Sequence, residues 1–375
     1  MDDVAIAGAG PAGAFAAMLL ARAGLKVRVF DRARFPRQKL CGDTLNPGAL
    51  AVLRRHADTT ALIERSDPLH GMRLTGPGGV GVDGRYGGDT TGRSITRLVL
   101  DQWLLDRAIE AGAQFEENAA VRDVTSAGGR VDGLVIGQGH RTHRARMVIA
   151  ADGRRSVIAI GRGLSRQPRR PRRWAIGSYF TDVEGMTSLG EMHVRHGHYI
   201  GVAPVPGGLV NTCLVVPFEP SSDRRLSNPS ARLLAALTGD PALAPRFAHA
   251  RAVEAPVMLG PMAVDASTAG EPGLLLAGDA AGFIDPMTGD GLRFALRGAE
   301  LAATVIQDAL AGSCPVDRAH LILAERRRAE FLAKWRFNRG LRSLVASPAS
   351  VSAAAVSARV FPALFTRMIQ YAGDC

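Results

Sequence analysis

The first apolar run, Val4-Ala-Ile-Ala7, stops at Gly8-Ala-Gly10-Pro-Ala-Gly13, and a second uncharged run of small residues and leucines continues to Ala21. A short apolar run ended by glycines predicts a buried strand, and the longer run after it predicts a helix. Lys26-Val-Arg-Val-Phe30 gives a second strand, which ends in Asp31. Between residues 45 and about 69, Leu50, Val52, Leu53, Leu62 and Ile63 fall at helical spacing and predict a helix with a core face. Residues 71–92 are glycine-rich with short apolar alternations, as in hairpin strands. Leu100, Trp103, Leu104 and Ala108 mark a helix through Ala111, with Trp103 a core residue. Strands are expected at Val131 to Ile136 and Arg144 to Ile149. From Trp174 to about Val264 the pattern is alternating strands with Gly/Pro turns, a mainly antiparallel sheet, interrupted over 219–250 by a polar linker and a helix. Leu274 to Ala277 reads as another buried strand, and Leu292 to about Ala311 as a helix. Residues 317–345 form a basic amphipathic helix, with Leu323, Phe331, Trp335, Leu341 and Val345 apolar. In the last segment Val356, Val360, Leu364, Phe365, Met368 and Ile369 share one helical face, with Pro362 near its first turn. That face is read as docking onto the body of the protein, or as a lid or membrane-surface helix beside a lipophilic channel.

The spacing of Gly8, Gly10 and Gly13 is G-x-G-x-x-G, and it stands where the motif carries meaning, between a strand and a helix. Gly8 permits the tight turn, Gly10 lets the backbone approach a pyrophosphate, and Gly13 allows helix and strand to pack closely. Phosphates sit on the helix N-terminus, and Asp31 is placed to accept hydrogen bonds from a ribose. A dinucleotide is therefore expected here.

Composition narrows the class. The chain has 375 residues, 46% hydrophobic and 22% charged, enough for two domains sharing a sizeable core. The uncharged runs Val4 to Ala21 and Ile200 to Phe218 are broken by glycine and proline, so no membrane span is expected. The Met-Asp-Asp start lacks the basic region of a signal peptide. Cys41, Cys213, Cys314 and Cys375 show no paired spacing, which fits reduced thiols in a cytoplasm. The net charge of +11 is mostly arginine and comes without a nucleic-acid-binding signature, so nucleic acid is not expected as a partner. A phosphorylated substrate, an acidic carrier protein or an anionic membrane surface fits the charge. Arg166 to Arg173, the densest charge run, reads as a solvated crossover between domains, with binding of an anionic partner as the alternative. His193, His196 and His198 lie close together, but Gly197 places a turn among them and no second cluster follows, so no metal site is expected.

Asp31-Arg-Ala-Arg-Phe-Pro-Arg-Gln-Lys-Leu-Cys-Gly-Asp43 resembles the flavoproteins of the geranylgeranyl reductase group, relatives of flavin-dependent halogenases and para-hydroxybenzoate-hydroxylase-type monooxygenases. Asp152-Gly153 after Met147-Val-Ile-Ala150, and Gly278-Asp-Ala-Ala-Gly-Phe-Ile-Asp-Pro-Met-Thr-Gly-Asp-Gly291, match two further motifs of that group. The resemblance implies FAD, bound extended at Gly8, Gly10, Pro11, Ala12, Gly13, Asp31 and Arg32. It places Cys41 and Gly42 in a loop beside the isoalloxazine, the Val121 backbone at the adenine, and Arg97 and Asp152 against the cofactor. Gly278 is implied at the cofactor, Asp279 at the ribityl chain, and Pro286 beside the flavin. The turn Gly289-Asp290-Gly291-Leu292 opens a helix whose free N–H groups face the flavin N1/O2 edge, where negative charge develops on reduction. Cys41, Gly289 and Gly291 are the candidate catalytic positions.

Tyr199 and Pro204 align with the reductases' Tyr-x-Trp-x-Phe-Pro motif and are read as substrate-lining. Gly201 and Ala203 replace its two large aromatics, which opens the channel wall and argues against a geranylgeranyl substrate. The halogenases' Trp-x-Trp-x-Ile-Pro is absent. The expected fold is α/β, a Rossmann-like FAD-binding domain (1–70, 93–160 and 265–312) interleaved with a mainly antiparallel β-sheet substrate domain (71–92 and 161–264), plus a C-terminal helical segment (313–375). The expected activity is that of an FAD-dependent oxidoreductase acting on a lipophilic or carrier-linked small molecule, by C=C reduction or dehydrogenation through flavin N5. The alternatives are a monooxygenase acting through a C4a-hydroperoxide and a flavin-binding protein without turnover. Without a second G-x-G-x-x-G, electrons come from transiently bound NAD(P)H or from another protein.

Overall fold

The computed structural model describes residues 1–40, 43–88, 90–139, 141–168, 173–217 and 228–374. Its first sheet runs, edge to edge, Gly270–Glu271, Leu274–Leu276, Arg141–Ala150, Asp2–Ala7, Val27–Phe30 and Gln114–Glu116. The pairs between Leu274–Leu276 and Gln114–Glu116 are all parallel, with Val4 opposite Met147 and Val27. Strands Val121–Ala127 and Arg130–Ile136 join antiparallel to the far end of Arg141–Ala150. Strand alternation sends Val4 and Ile6 to a face covered by helices Pro11–Arg22, Arg97–Glu110 and Gly291–Leu310. Ala5, Ala7 and Phe30 go to the other face, over the 121–136 hairpin.

The second sheet runs Arg251–Ala252, Arg173–Thr181, Leu209–Pro217, His198–Val205, Leu189–Arg195, Gly71–Gly76 and Val80–Arg85. It is antiparallel except where Leu189–Arg195 lies parallel to Gly71–Gly76. One face receives helix Pro229–Thr238 through Leu233 and Leu237. The other, carrying Met192, Val194 and Tyr199, meets Met287 and the C-terminal helices at Val345 and Val351.

Three expectations are corrected. The stretch from residue 45 to 69 is not one helix but strand Thr44–Leu45, helices Pro47–His56 and Thr60–Glu64, and strand Asp67–Leu69. Asn46 caps the first helix by accepting from Ala49 N, with Pro47 at its first position, and Pro68 cannot continue the second. The terminal apolar face is broken into helices Pro348–Val360 and Pro362–Gly373, bent by 110°. Pro362 offers no N–H and keeps Phe361 out of helical geometry. Arg173 is buried rather than solvated, because it begins an inward-facing strand and its Nη1 lies 3.0 Å from Asp285. Arg169–Arg172 of that run lie outside the described residues. Among the described residues no single helix is long and apolar enough to cross a membrane.

Candidate functional site

The parallel sheet brings the sequence-predicted residues together because each follows the carboxyl end of a strand: Gly8, Asp31, Asp152 and Gly278. All but Gly278 border a cleft of about 1540 Å³ including its open mouth, which the second sheet flanks with Tyr179 and Met258; Gly278 borders a small adjoining cavity. The three glycines of the first turn do different work. A Cβ on Gly13 would stand 1.8 Å from the Gly8 carbonyl oxygen, so helix and turn fit only without a side chain. Gly8 has φ +98° and a Cβ there would press on the Ala151 carbonyl at 2.5 Å. Gly10 opens on the cleft, where the nearest group is Arg37 Nη2 at 3.5 Å. Helix Pro11–Arg22 begins with no side-chain cap, which leaves its first N–H groups to whatever occupies the cleft.

Asp31 lies at the rim of the same turn. Its Oδ2 accepts from Ala9 N and its Oδ1 from Ala33 N, both at 2.8 Å, and Arg32 beside it is exposed. Asp152 Oδ2 accepts from Val157 N at 2.8 Å, whereas its buried Oδ1 has no hydrogen-bond partner among the described residues. Burial pushes the Asp152 carboxyl above its usual range. Arg97 is buried and gripped by Asp101 at 2.7 Å, which also holds Arg37 at 3.0 Å. Arg37, not Arg97, lines the cleft. Val121 is half-buried at the start of its strand and does not line it. Cys41 and Gly42 lie outside the described residues.

Farther along, Asp279 sits in the turn Gly278–Ala281 and lines both the cleft and the small adjoining cavity. The turn Pro286–Thr288 ends at Gly289, whose φ of +68° redirects the chain into helix Gly291–Leu310, again without a side-chain cap. Leu292 is buried in that first turn. The Asp290 side chain points away, into a buried cluster. It accepts from Asn46 Nδ2 at 3.1 Å and stands 3.7 Å from Lys334 Nζ. Burial pushes its carboxyl up to about 6. Lys334 also donates to the carbonyls of Tyr371 and Ala372 and lies 2.9 Å from Asp374, so this cluster pins the chain's last helix.

On the other side of the Pro286–Thr288 turn, Met287 and Thr288 form part of the wall of a second pocket of about 1000 Å³ including its mouth. Leu74, Val82, Met192 and Val194 of the second sheet line it, facing Leu341, Val345, Phe365 and Ile369 of the C-terminal helices. Tyr199, read from the sequence as substrate-lining, stands behind this wall instead. It is fully enclosed and donates to Asp285; burial, and then the Asp285 carboxylate, push its phenol well above the usual range. Tyr199 shares its face with the pocket-lining Met192 and Val194, but it is enclosed against Asp285 and Arg173 and does not reach the cavity. Pro204 also lies off both pockets, its carbonyl accepting from Ser94.

Some cleft residues escaped the sequence reading. Arg37 and Lys39 line the cleft, and burial, reinforced by Arg97, pushes Lys39 down to about 8. Their signal was the Arg-x-Lys spacing inside the loop already singled out. Asp43 is buried, accepting from Tyr179 Oη at 2.8 Å and Arg97 N at 3.0 Å, and from Asn211, and so ties that loop to the second sheet. Asp101 was readable as the i+4 partner of Arg97. His193 is a buried partner of Glu191 at 2.8 Å.

A nucleotide cleft at the strand ends, joined to a second sheet, defines a two-part flavoprotein fold. The FAD binding domain family matches residues 1–335, and the chain belongs to that family. It is an FAD-dependent oxidoreductase. Menaquinone reductase of Mycolicibacterium smegmatis is 32% identical over 330 residues, covering 81% of this chain and 76% of the relative. Digeranylgeranylglycerophospholipid reductase 1 of Methanopyrus kandleri is 30% identical over 329 residues, covering 82% and 81%. Among solved structures, a flavin-dependent brominase superposes with a TM-score of 0.80 at 19% identity, covering 100% of this chain and 94% of that one, a likeness of fold.

Proposed function

We propose that this chain reduces a lipophilic, isoprenoid-bearing substrate such as a quinone or an unsaturated lipid, by hydride transfer to a conjugated or isolated C=C system. The observation that carries the reading is the apolar pocket, whose Met287–Thr288 wall belongs to the same turn that opens the flavin-side helix. Menaquinone reductase and digeranylgeranylglycerophospholipid reductase, by their names, act on substrates of this class. The empty space at Gly10, the uncapped helix start and the unpartnered Asp152 Oδ1 are features that FAD would satisfy. In this reading Gly10, Ala12 and Gly13 hold the pyrophosphate, Asp31 the ribose, and Arg37 and Lys39 balance its charge. Arg32, Arg97, Val121, Asp152 and Gly278 belong to the cofactor's surroundings, and Asp279 to its ribityl side.

When bound, FAD supplies hydride-transfer chemistry. The backbone N–H groups of Gly291 and Leu292, free at the positive end of their helix, would favour negative charge on a group bound against them. Asp290 is a positioning residue: it fixes that helix start against Asn46 and Lys334. Met287 and the C-terminal helices wall the pocket with apolar side chains. Electrons arrive from transient NAD(P)H or from a protein donor.

The test is to reduce the holoprotein anaerobically and mix it with a menaquinone analogue or a geranylgeranyl lipid in detergent. Flavin reoxidation without oxygen, with a reduced product, is the expected result. Reoxidation only on admitting oxygen, with an oxygenated product, would replace this reading by the monooxygenase one. A flavin that no donor reduces would leave a binding protein without turnover.

A further inference from the structure

We infer that the bend between helices Pro348–Val360 and Pro362–Gly373 is a docking surface for an anionic lipid bilayer, through which the apolar pocket fills; this rests on the lipophilic-substrate reading above. Four large apolar side chains crowd the bend: Val356 is 61% exposed, Val360 62%, Phe361 62% and Leu364 55%. Single exposed apolar residues are ordinary, whereas a contiguous group at the tip of a hairpin marks a surface that meets something apolar.

The same two helices turn their other faces inward. Val351, Ala358, Phe365, Met368 and Ile369 line the pocket. The hairpin is therefore apolar on both sides, with the pocket on one and solvent on the other. An ordinary capping helix buries one face and presents charge on the other.

Charge selects the occupant. From Trp335 to Gly373 the chain carries five arginines and no aspartate or glutamate. Arg359 and Arg367, both exposed, flank the apolar tip, and Arg359 holds the Gly78 carbonyl. Apolar side chains between arginines of one sign suit the boundary between acyl chains and anionic headgroups, where the arginine stems reach the phosphates. The foot of the hairpin is pinned by Lys334 and Arg293 on Asp374, so the tip is presented from a fixed base. A long lipid reaching the pocket past this tip avoids crossing water.

The experiment sediments the holoprotein with vesicles of phosphatidylcholine alone or mixed with phosphatidylglycerol. Wild type is expected to bind the anionic vesicles and to be released by salt. The double variant Phe361→Asp/Leu364→Asp, altered only at exposed positions outside the pocket lining, is expected to lose vesicle affinity about tenfold or more. It should keep its FAD and its anaerobic reoxidation by a short-chain, water-soluble quinone, while losing turnover of a long-chain substrate held in vesicles. No binding of wild type to anionic vesicles would overturn the proposal, as would unchanged binding by the double variant. So would a wild-type dimer that the double variant dissociates, with vesicles left unbound. Vesicle binding without anaerobic flavin reoxidation supports the docking surface and refutes lipid reduction; reoxidation by lipid without vesicle binding does the reverse.

Discussion

The polar cleft and the apolar pocket meet along the segment Gly278–Gly291, yet they are built in different ways. The cleft sets glycine turns, one uncapped helix start and acids at strand ends among charged side chains such as Arg37 and Lys39, and its tightest contacts are backbone ones at Gly8 and Gly13. The pocket is made of side chains gathered from the strands Gly71–Gly76 and Leu189–Arg195, the turn at Met287, and three C-terminal helices. A backbone site tolerates almost no change at its glycines, because the clash is with main chain that cannot move aside. A side-chain site tolerates exchange of one apolar group for another as long as volume is kept. The first arrangement fixes the cofactor; the second leaves the substrate adjustable.

The largest break in this comparison is Gly13→Val. Its Cβ would overlap the Gly8 carbonyl at 1.8 Å, and neither the turn nor the helix can yield without moving the sheet. Overpacking of this kind costs about 3 kcal/mol. The variant is expected to lose its FAD on desalting and to unfold at lower temperature. Full retention of flavin absorbance would show that the turn is looser than its geometry implies.

Asp290 lies between the two regions and tests whether they are coupled. Its carboxyl is raised from 3.8 to about 6, chiefly by burial. A carboxyl raised on folding binds its proton more tightly in the folded state. The stability it supports is present at low pH and is lost as pH climbs from about 4 to about 6. Asp290→Asn keeps the shape and the neutral state, so its unfolding free energy should lack that fall and exceed wild type by about 3 kcal/mol at neutral pH. Denaturant unfolding at a series of pH values measures it. Parallel curves for the two proteins would mean that Asp290 is charged and satisfied in the folded state.

The contrast also explains what was legible in the sequence. Gly8 to Gly13, Asp31, Asp152 and Asp279 could be placed because glycine spacing and an acid at a strand end are local signals with one geometric solution. Tyr199 could not, because a residue on the pocket-side face reaches the cavity only where tertiary packing leaves space, and at Tyr199 that space is taken by Asp285 and Arg173. A lipophilic channel beside the last helical face was expected, but its sheet-side wall was invisible: Leu74 and Met192 are ordinary core residues until the fold leaves a gap beside them. The terminal hairpin was half legible. Its apolar positions were readable, but Pro362 divides them between pocket and solvent. The paired carboxylate of Asp101 serves Arg37 as well as Arg97, a sharing that only the folded loop reveals.

The smallest expected effect is the sharpest separation of the two regions. Leu74→Trp places extra volume in the pocket from a strand that takes no part in the cleft. Because side chains rather than backbone surround position 74, the indole can displace space meant for substrate at modest cost to the fold. Discrimination in an apolar pocket is worth about tenfold for a change of this size. The expected outcome is a KM about tenfold higher for a long-chain lipophilic substrate, with FAD retention and the flavin spectrum unchanged. A short-chain substrate, needing less of the pocket, should be affected less. If Leu74→Trp instead released FAD, the cleft and the pocket would be one cooperative unit, and the turn Pro286–Thr288 would transmit strain between them rather than partition them.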